Sequence, residues 1–298
     1  MATEILTDEK ISVKDDIRWN LLQRKTAELR AQQAFSLFRQ HSIEPILIKG
    51  FAAAQFYPES KLRHSIDMDL AVSDRDFDAA TVISNSTEAN GLAIDLHREL
   101  RHLDTTRWSD LFENSRMLQL DGGSIRVLRP EDHLRVLCVH WLTDGGVNKD
   151  RLWDIFYLVE NRPDDFDWDR FMNTISDTRR RWLTCSLALA SRYLNLDLTG
   201  TPVEDAAGDL PQWLVHSVER EWASPTRLLP LHVSLNDPRL LIRQILKRLR
   251  PNPIWATIQM EGSFDAKTRI FYQLGSIFQR IMPSYHRVSK TIAARRSK

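Results

Sequence analysis

The sequence has few of the features that mark membrane-spanning, secreted or low-complexity proteins. No apolar run among its 298 residues approaches the roughly 20 residues that cross a bilayer. Only Cys138 and Cys185 occur, too few for a disulfide scaffold or a cysteine zinc site. The N-terminal segment is acidic and polar and lacks the apolar core of a secretory signal. These absences argue against an integral membrane protein and predict a cytoplasmic protein with reduced thiols.

The composition is that of an ordinary folded protein with an uneven charge distribution. Hydrophobic residues make up 42% and charged residues 27%, and nine tryptophans and twelve phenylalanines can supply a core. Arg239 to Lys298 contains thirteen lysines and arginines and two acids, a local balance of +11 against −10 for the remainder. This basic C-terminal segment either packs against the acidic remainder or faces an anionic partner. Its amphipathic stretch 239–250 fits a core-packed helix or a membrane or nucleic-acid surface.

Hydrophobic periodicity divides the chain into two parts. Residues 16–41 have the pattern of one long amphipathic helix, and short strands and helices follow it up to residue 128. The segments predicted as strands are 44–50, 66–72, 92–100 and a hairpin over 116–128, and short helices are predicted over 51–58 and 74–91. Pro130 begins a region in which nearly every segment has helical period. We expect an α/β domain over residues 1–128 and a helical domain over 129–298.

The segment "RHSIDMDLAV" carries the clearest chemical signal. Asp67 and Asp69 stand one residue apart where a polar stretch becomes an apolar strand, and strand residues i and i+2 point to the same face. Asp95 lies in another apolar strand, "AIDLH", and is expected to bring a third carboxylate beside them. A lone D-x-D is weak evidence, but three acids at adjacent strand positions can hold two divalent ions, Mg²⁺ or Mn²⁺. The acids therefore predict a two-metal nucleotide site.

Cationic residues near the acids are candidates for phosphate binding. Lys49 and Gly50 lie where a strand becomes a helix, a position at which backbone N–H groups favour anions. Arg63 and His64 enter the same edge just before the paired aspartates. Together with the acids, these residues predict a site that holds the phosphates of a nucleotide.

Several of these residues have structural alternatives. Lys49 could be a strand lysine whose ammonium extends to solvent instead of binding phosphate. Arg63 could form a structural salt bridge with one of the paired aspartates. His97 shares the strand face of Asp95, where it would act as a general base, a phosphate contact or a hydrogen-bonded structural residue. Asp154 lies on a largely apolar helix, where we expect it to meet an arginine or a helix end.

In combination these segments resemble a known family. "ILIKGFAAAQFYPESKLRHSIDMDLAVS", "IDLHREL" and "LRPEDHLRVLCVHWL" are similar to an uncharacterised bacterial nucleotidyltransferase family of the DNA-polymerase-β-like superfamily. The resemblance covers about residues 43–160. It implies an α+β fold, in which a polymerase-β-like domain with a small mixed sheet precedes an all-helical region. One departure is that the wider superfamily holds the triphosphate with a glycine-serine turn, whereas this chain has Lys49-Gly50.

The resemblance also implies a reaction and its residues. The implied metal ligands are Asp67, Asp69 and Asp95, and the implied phosphate contacts are Lys49, Gly50 and Arg63. The reaction would be Mg²⁺- or Mn²⁺-dependent transfer of a nucleoside monophosphate, with ATP the expected donor, to a hydroxyl or phosphate of a small molecule, peptide or saccharide. Members of the family sit in bacterial biosynthetic clusters, including those for lasso peptides and surface polysaccharides.

Three other functions share part of this pattern. The same ions would serve phosphoryl transfer. A glycosyltransferase also uses a D-x-D on a nucleotide-sugar, but such folds place more βα units before the motif than this chain does. A degenerate nucleotidyltransferase that only binds or regulates a partner would keep the fold, although such a protein has no need of all three acids.

Overall fold

The computed structural model describes residues 2–63, 67–224, 237–249 and 251–279, without the side chains of 2–17, 245–247 and 249. The predicted phosphate contact His64 and the part of the basic C-terminal segment beyond residue 279 lie outside the described residues. The chain divides into two compact units, Met1–Leu137 with Trp153–Ile175 and Cys138–Leu152 with Ser176–Lys298. The domain boundary at residue 128 stays a prediction.

A long N-terminal helix, α1, spans Ala2–Gln40 and confirms the helix predicted over 16–41, with an earlier start. Ala31, Ala34, Phe35 and Phe38 are fully buried at the spacing of one helical face. The helix ends where Ser42 adopts a positive φ of 61°. Burial of this face places α1 against the sheet that follows.

The first unit contains the small mixed sheet that the resemblance implied. Its five strands, β1 to β5, span Ile46–Leu47, Met68–Val72, Ile94–Arg98, Arg116–Leu120 and Gly123–Val127. The strand order is β3-β2-β1-β5-β4. β2 runs antiparallel to β1 and parallel to β3, while β5 runs parallel to β1 and antiparallel to β4. The predicted hairpin is the β4–β5 pair, and the α+β class is confirmed.

The two faces of β2 have different surroundings. Met68, Leu70 and Val72 belong to one hydrophobic cluster with the buried face of α1. Because alternate strand residues point to the same face, Asp69 and Ala71 lie on the opposite face. The carboxylate of Asp69 is therefore directed away from the core that α1 covers.

Short helices connect the strands and follow the sheet. Those lying wholly or partly in the first unit are α2 (Phe51–Ala54), α3 (Phe77–Ser84), α4 (Trp108–Glu113), α5 (Pro130–Thr143), α6 (Leu152–Glu160) and α7 (Trp168–Asn173). The helix predicted over 74–91 is shorter than expected. The side chains of Ser84 and Asn85 both donate to the carbonyl of Thr81, which satisfies the last turn and ends α3 early.

The second unit is helical, as predicted for the C-terminal half. Its further helices are α8 (Asp177–Leu194), α9 (Glu204–Gly208), α10 (Gln212–Ala223), α11 (Pro238–Leu249) and α12 (Pro253–Gln259), and residues 270–279 are also helical. The indole N–H of Trp182 donates to the Gly262 carbonyl and that of Trp213 to the Phe264 carbonyl. Across the described ranges, none of the helices has the length and apolarity that crossing a membrane requires.

Candidate active site

Two carboxylates from neighbouring parallel strands stand side by side on the face of the sheet opposite α1. β2 and β3 pair in a register that places Asp69 directly beside Asp95. Both residues are at equivalent positions in the alternation of their strands, so their side chains share a face. The Asp69 side chain is 12% exposed and that of Asp95 60% exposed. As expected from the sequence, Asp95 lies beside the aspartate pair, and its neighbour there is Asp69.

His97 completes a compact group with these two acids. Its Nε2 lies 3.2 Å from Oδ1 of Asp69 and 3.5 Å from Oδ2 of Asp95. One ligand atom from each of the three residues lies within 4.8 Å of the others. Two carboxylate oxygens and an imidazole nitrogen thus converge where a divalent ion would be held.

His97 and Lys49 together keep Asp69 ionised. The Lys49 Nζ lies 2.7 Å from Oδ1 of Asp69, and the lysine is only 5% exposed. Burial by itself would raise the pKa of Asp69, but the hydrogen bond from His97 and the charge and hydrogen bond of Lys49 outweigh it and lower the pKa to about 2. The alternative in which Lys49 extends to solvent is wrong, because its ammonium has a buried carboxylate partner.

The turn that directs Lys49 depends on Gly50. Gly50 has φ 60° and ψ −118°, a left-handed value that favours glycine, and α2 begins at the next residue. The backbone N–H of Ile48 donates to the Asp69 carbonyl, which ties the turn to β2. The strand-to-helix turn predicted at Lys49-Gly50 is therefore present, and Lys49 contacts the predicted metal ligand.

Asp67 is not one of the three residues whose ligand atoms converge, which are Asp69, Asp95 and His97. It is exposed and directly precedes β2, where the regular strand alternation has not yet begun. It lines a cavity together with Arg63 and Met68. Its role as a metal ligand stays a prediction.

Arg63 is held by Asp154, 91 residues further along the chain. Its Nε and Nη2 donate to the two oxygens of that carboxylate at 2.7 and 2.8 Å, a bidentate pairing. The hydroxyl of Tyr57 donates to the same carboxylate at 2.7 Å. The expectation that Asp154 meets an arginine is confirmed, and Arg63 forms this pair instead of a salt bridge with Asp67 or Asp69.

The sequence model of an uncharacterised nucleotidyltransferase family matches residues 12–195. The chain belongs to this family. Comparison with curated proteins and with solved structures gave no match. The matched range contains α1, from residue 12 onward, the complete sheet and all the candidate residues described above. Membership of a nucleotidyltransferase family confirms the family predicted from the motifs and supports a transferase activity.

The ligand atoms of Asp69, Asp95 and His97 fit a divalent cation. Carboxylate oxygens are the ligands that Mg²⁺ and Mn²⁺ prefer, and Asp95 remains largely open to solvent. Lys49 already contacts one oxygen of Asp69, Oδ1. A cation at this site would therefore bind beside a carboxylate that the lysine partly neutralises.

Two residues near this site carry little signal in the sequence. Tyr57 is identified as part of the Arg63–Asp154 cluster only by the tertiary contact. His133 is fully buried, its ring lies 6.1 Å from that of Phe56, and its Nε2 has no hydrogen-bond partner. Burial lowers the pKa of the His133 imidazole to about 4. His97, by contrast, was a candidate from the sequence, because it stands two residues after Asp95 on the same strand face.

Proposed function

We propose that this protein is a nucleotidyltransferase that moves a nucleoside monophosphate, AMP from ATP, onto a hydroxyl or phosphate acceptor and releases pyrophosphate. The observation that carries the proposal is the group formed by Asp69, Asp95 and His97, whose ligand atoms lie within 4.8 Å of one another. Asp69 and Asp95, with Asp67 at the rim, would hold Mg²⁺ or Mn²⁺. The bound ion would neutralise triphosphate charge and favour attack by the acceptor oxygen.

The chain's own residues would position the reactants and move one proton. The acceptor oxygen forms a bond to the α-phosphorus, the bond between that phosphorus and pyrophosphate breaks, and the acceptor proton passes to Asp95. Asp95 is suited to this because its carboxylate is 60% exposed and directly beside the buried Asp69. His97, within reach of both acids, orients them.

The phosphate contacts implied by the resemblance belong to the same proposal. Lys49 and the Gly50 turn are placed beside Asp69, so an incoming triphosphate would share the lysine with that carboxylate. Two nitrogens of Arg63 bind Asp154 and the third, Nη1, is buried, so the phosphate role of Arg63 is proposed from the sequence. His64 keeps its proposed phosphate role from the sequence alone.

The test is thermal unfolding of the full chain with ATP, GTP, CTP, UTP or UDP-glucose, each with and without Mg²⁺ or Mn²⁺. Ligand that binds only the folded state raises the unfolding temperature. We expect a metal-dependent rise with an NTP that disappears in Asp69→Asn/Asp95→Asn and persists in the control Asp205→Asn, an exposed acid on α9. A rise with UDP-glucose alone would instead indicate a glycosyltransferase.

A second candidate is a binding protein that has kept the fold without catalysis. The salt bridge between Lys49 and Asp69 favours it, because it neutralises the buried carboxylate without any cation. This candidate predicts no nucleotide-dependent rise in unfolding temperature with any metal. It also predicts that Asp95→Asn leaves the affinity for the partner unchanged.

A further inference from the structure

The helix at residues 270–279 in the second unit exposes large apolar side chains. Four of them form the apolar stripe of this helix: Ile270, Phe271, Leu274 and Phe278, which are 60%, 73%, 48% and 71% exposed. At about 100° of rotation per residue, these four positions fall within an arc of about 100° on the helix. Single exposed apolar residues are ordinary on a protein surface, but a contiguous patch marks an interaction surface.

Polar and small residues hold this helix against the rest of the second unit. Ser276 is fully buried, and the side-chain amide of Gln273 donates to the Pro251 carbonyl at 2.8 Å. A Cβ added to Gly275 would lie 2.8 Å from Cε of Met260, so the helix backbone comes close to that side chain. A surface helix ordinarily turns its apolar face to the core and its polar face to water. This helix does the reverse, so packing within the unit does not account for the apolar stripe.

Further contacts fix the orientation of this helix. The guanidinium of Arg269, directly before its first turn, lies 4.5 Å from the centroid of the Trp213 ring and donates to the Ser263 carbonyl at 2.5 Å. The Tyr272 ring packs so closely on Gly262 that a Cβ there would lie 2.5 Å from it. The apolar stripe is therefore presented outward by contacts on the other sides of the helix.

The sequence on both sides of the apolar stripe is cationic. From residue 266 to residue 298 it contains eight lysines and arginines and no aspartate or glutamate, a local charge of +8: Lys267, Arg269, Arg280, Arg287, Lys290, Arg295, Arg296 and Lys298. Lys267 is exposed three residues before the stripe begins. The cations from Arg280 onward lie outside the described residues and enter the argument through the sequence alone. An apolar stripe flanked by positive charge complements a surface that is both apolar and anionic.

An anionic lipid bilayer is the partner that offers both properties. Amphipathic helices lie in the membrane interface with phenylalanine and leucine at the boundary of headgroups and acyl chains, and flanking cations are attracted to anionic headgroups. A second copy of this chain docked stripe to stripe would bring two segments of like charge together. A nucleic acid would neutralise the cations but would leave the stripe in water.

We propose that the apolar stripe docks this protein on an anionic lipid surface, with Phe271 and Phe278 inserted among the headgroups and the flanking cations held by them. One short apolar stripe gives weak, reversible binding by itself, and the positive charge supplies the second contribution. The docking is independent of the proposed transfer reaction and needs neither a nucleotide nor a metal ion.

The experiment is co-sedimentation of the full chain with vesicles, in EDTA and without nucleotide. One set of vesicles is phosphatidylcholine alone, and the other contains equal parts of phosphatidylcholine and phosphatidylglycerol. We expect binding to the anionic vesicles to be at least tenfold tighter, and to weaken at about 1 M salt, where the Debye length falls to about 3 Å. Phe271→Ser/Phe278→Ser should weaken binding to the anionic vesicles at least tenfold.

Two further variants separate the apolar stripe from the rest of the molecule. Val82→Ser removes an apolar side chain on α3 that is 73% exposed, as Phe271 is, and should leave vesicle binding unchanged. Phe271→Cys carries an environment-sensitive fluorophore on the new thiol, since Cys138 and Cys185 are buried. Its fluorescence should rise with the anionic vesicles. Thermal unfolding without lipid checks that each variant is folded.

Other outcomes would overturn the proposal in distinguishable ways. Equal binding to both kinds of vesicle, or to neither, would exclude an anionic lipid surface. Unchanged binding of Phe271→Ser/Phe278→Ser, or no fluorescence change at position 271, would mean that charge alone attaches the chain. Without vesicle binding, self-association in sedimentation velocity that the double variant abolishes would assign the stripe to a second copy, and binding of duplex DNA would assign the cations to a nucleic acid.

Discussion

Nζ of Lys49 lies 2.7 Å from Oδ1 of Asp69, and the two residues are 5% and 9% exposed. A pair so far removed from water is held together because each charge compensates the desolvation of the other. The same oxygen lies 3.2 Å from His97. Any divalent ion at this site therefore meets a carboxylate that already has a fixed cationic partner.

Lys49→Met is expected to destabilise the protein by about 3 kcal/mol at pH 7, because it leaves the buried Asp69 carboxylate with only His97. Urea unfolding measures this. Adding Mg²⁺ should restore more stability to the variant than to the wild type, since the ion replaces the missing charge. Lys49→Met/Asp69→Asn should recover part of the loss, and equal losses in the single and double variants would argue against the pair.

Asp95→Asn is expected to weaken metal binding while leaving the free energy of unfolding nearly unchanged. The side chain is 60% exposed, so its neutralisation should change the free energy of unfolding by less than about 0.5 kcal/mol. Mn²⁺ affinity, measured by electron paramagnetic resonance, should fall at least tenfold, because one of the proposed carboxylate ligands is lost. Asp205→Asn serves as the control, and unchanged Mn²⁺ affinity in Asp95→Asn would contradict the metal site.

His133 is expected to make the fold sensitive to mild acid. Burial lowers the pKa of its imidazole from 6.5 to about 4, against the opposing charge of Asp154 and with a smaller contribution from Arg63. Between pH 6.5 and pH 4 the His133 imidazole binds a proton in the unfolded chain but stays neutral in the folded chain. The free energy of unfolding therefore falls as the pH is lowered. The loss is roughly 3 kcal/mol between pH 6.5 and 4.

Urea unfolding across this pH range tests the role of His133. His133→Gln, which cannot titrate, should show a flatter dependence of the free energy of unfolding on pH than the wild type. Its absolute stability will differ as well, so the slope is the quantity to compare. Identical slopes would mean that other groups cause the acid sensitivity.

Tyr57→Phe removes the hydroxyl that donates to Asp154 at 2.7 Å. A hydrogen bond to a charged group contributes about 1.5–3 kcal/mol, so we expect a loss of about 2 kcal/mol in chemical unfolding. Arg63→Lys should also destabilise, because lysine cannot form the bidentate pair. A double-mutant cycle should give non-additive losses, and strict additivity would mean that the two residues do not act through the shared carboxylate.

Local patterns were sufficient for most of the elements. The strands around Asp69 and Asp95 follow from short apolar runs, and the hairpin from its glycine turn, because these signals depend on neighbours in the chain. The early end of α3 was not foreseen, since two side chains compete for the Thr81 carbonyl in a way that hydrophobic periodicity does not record.

The sequence by itself yielded the family and the α+β class, which are confirmed, and the prediction that Asp67, Asp69 and Asp95 hold a cation, because each depends on residue type and short spacing. Only the tertiary structure decided which partners the cations take. Lys49 contacts Asp69 across the sheet, and Arg63 contacts Asp154 across 91 positions of chain. Charge attraction falls off with distance and is strengthened by burial. The order of residues in the chain specifies neither the distance between two charged side chains nor how deeply they are buried.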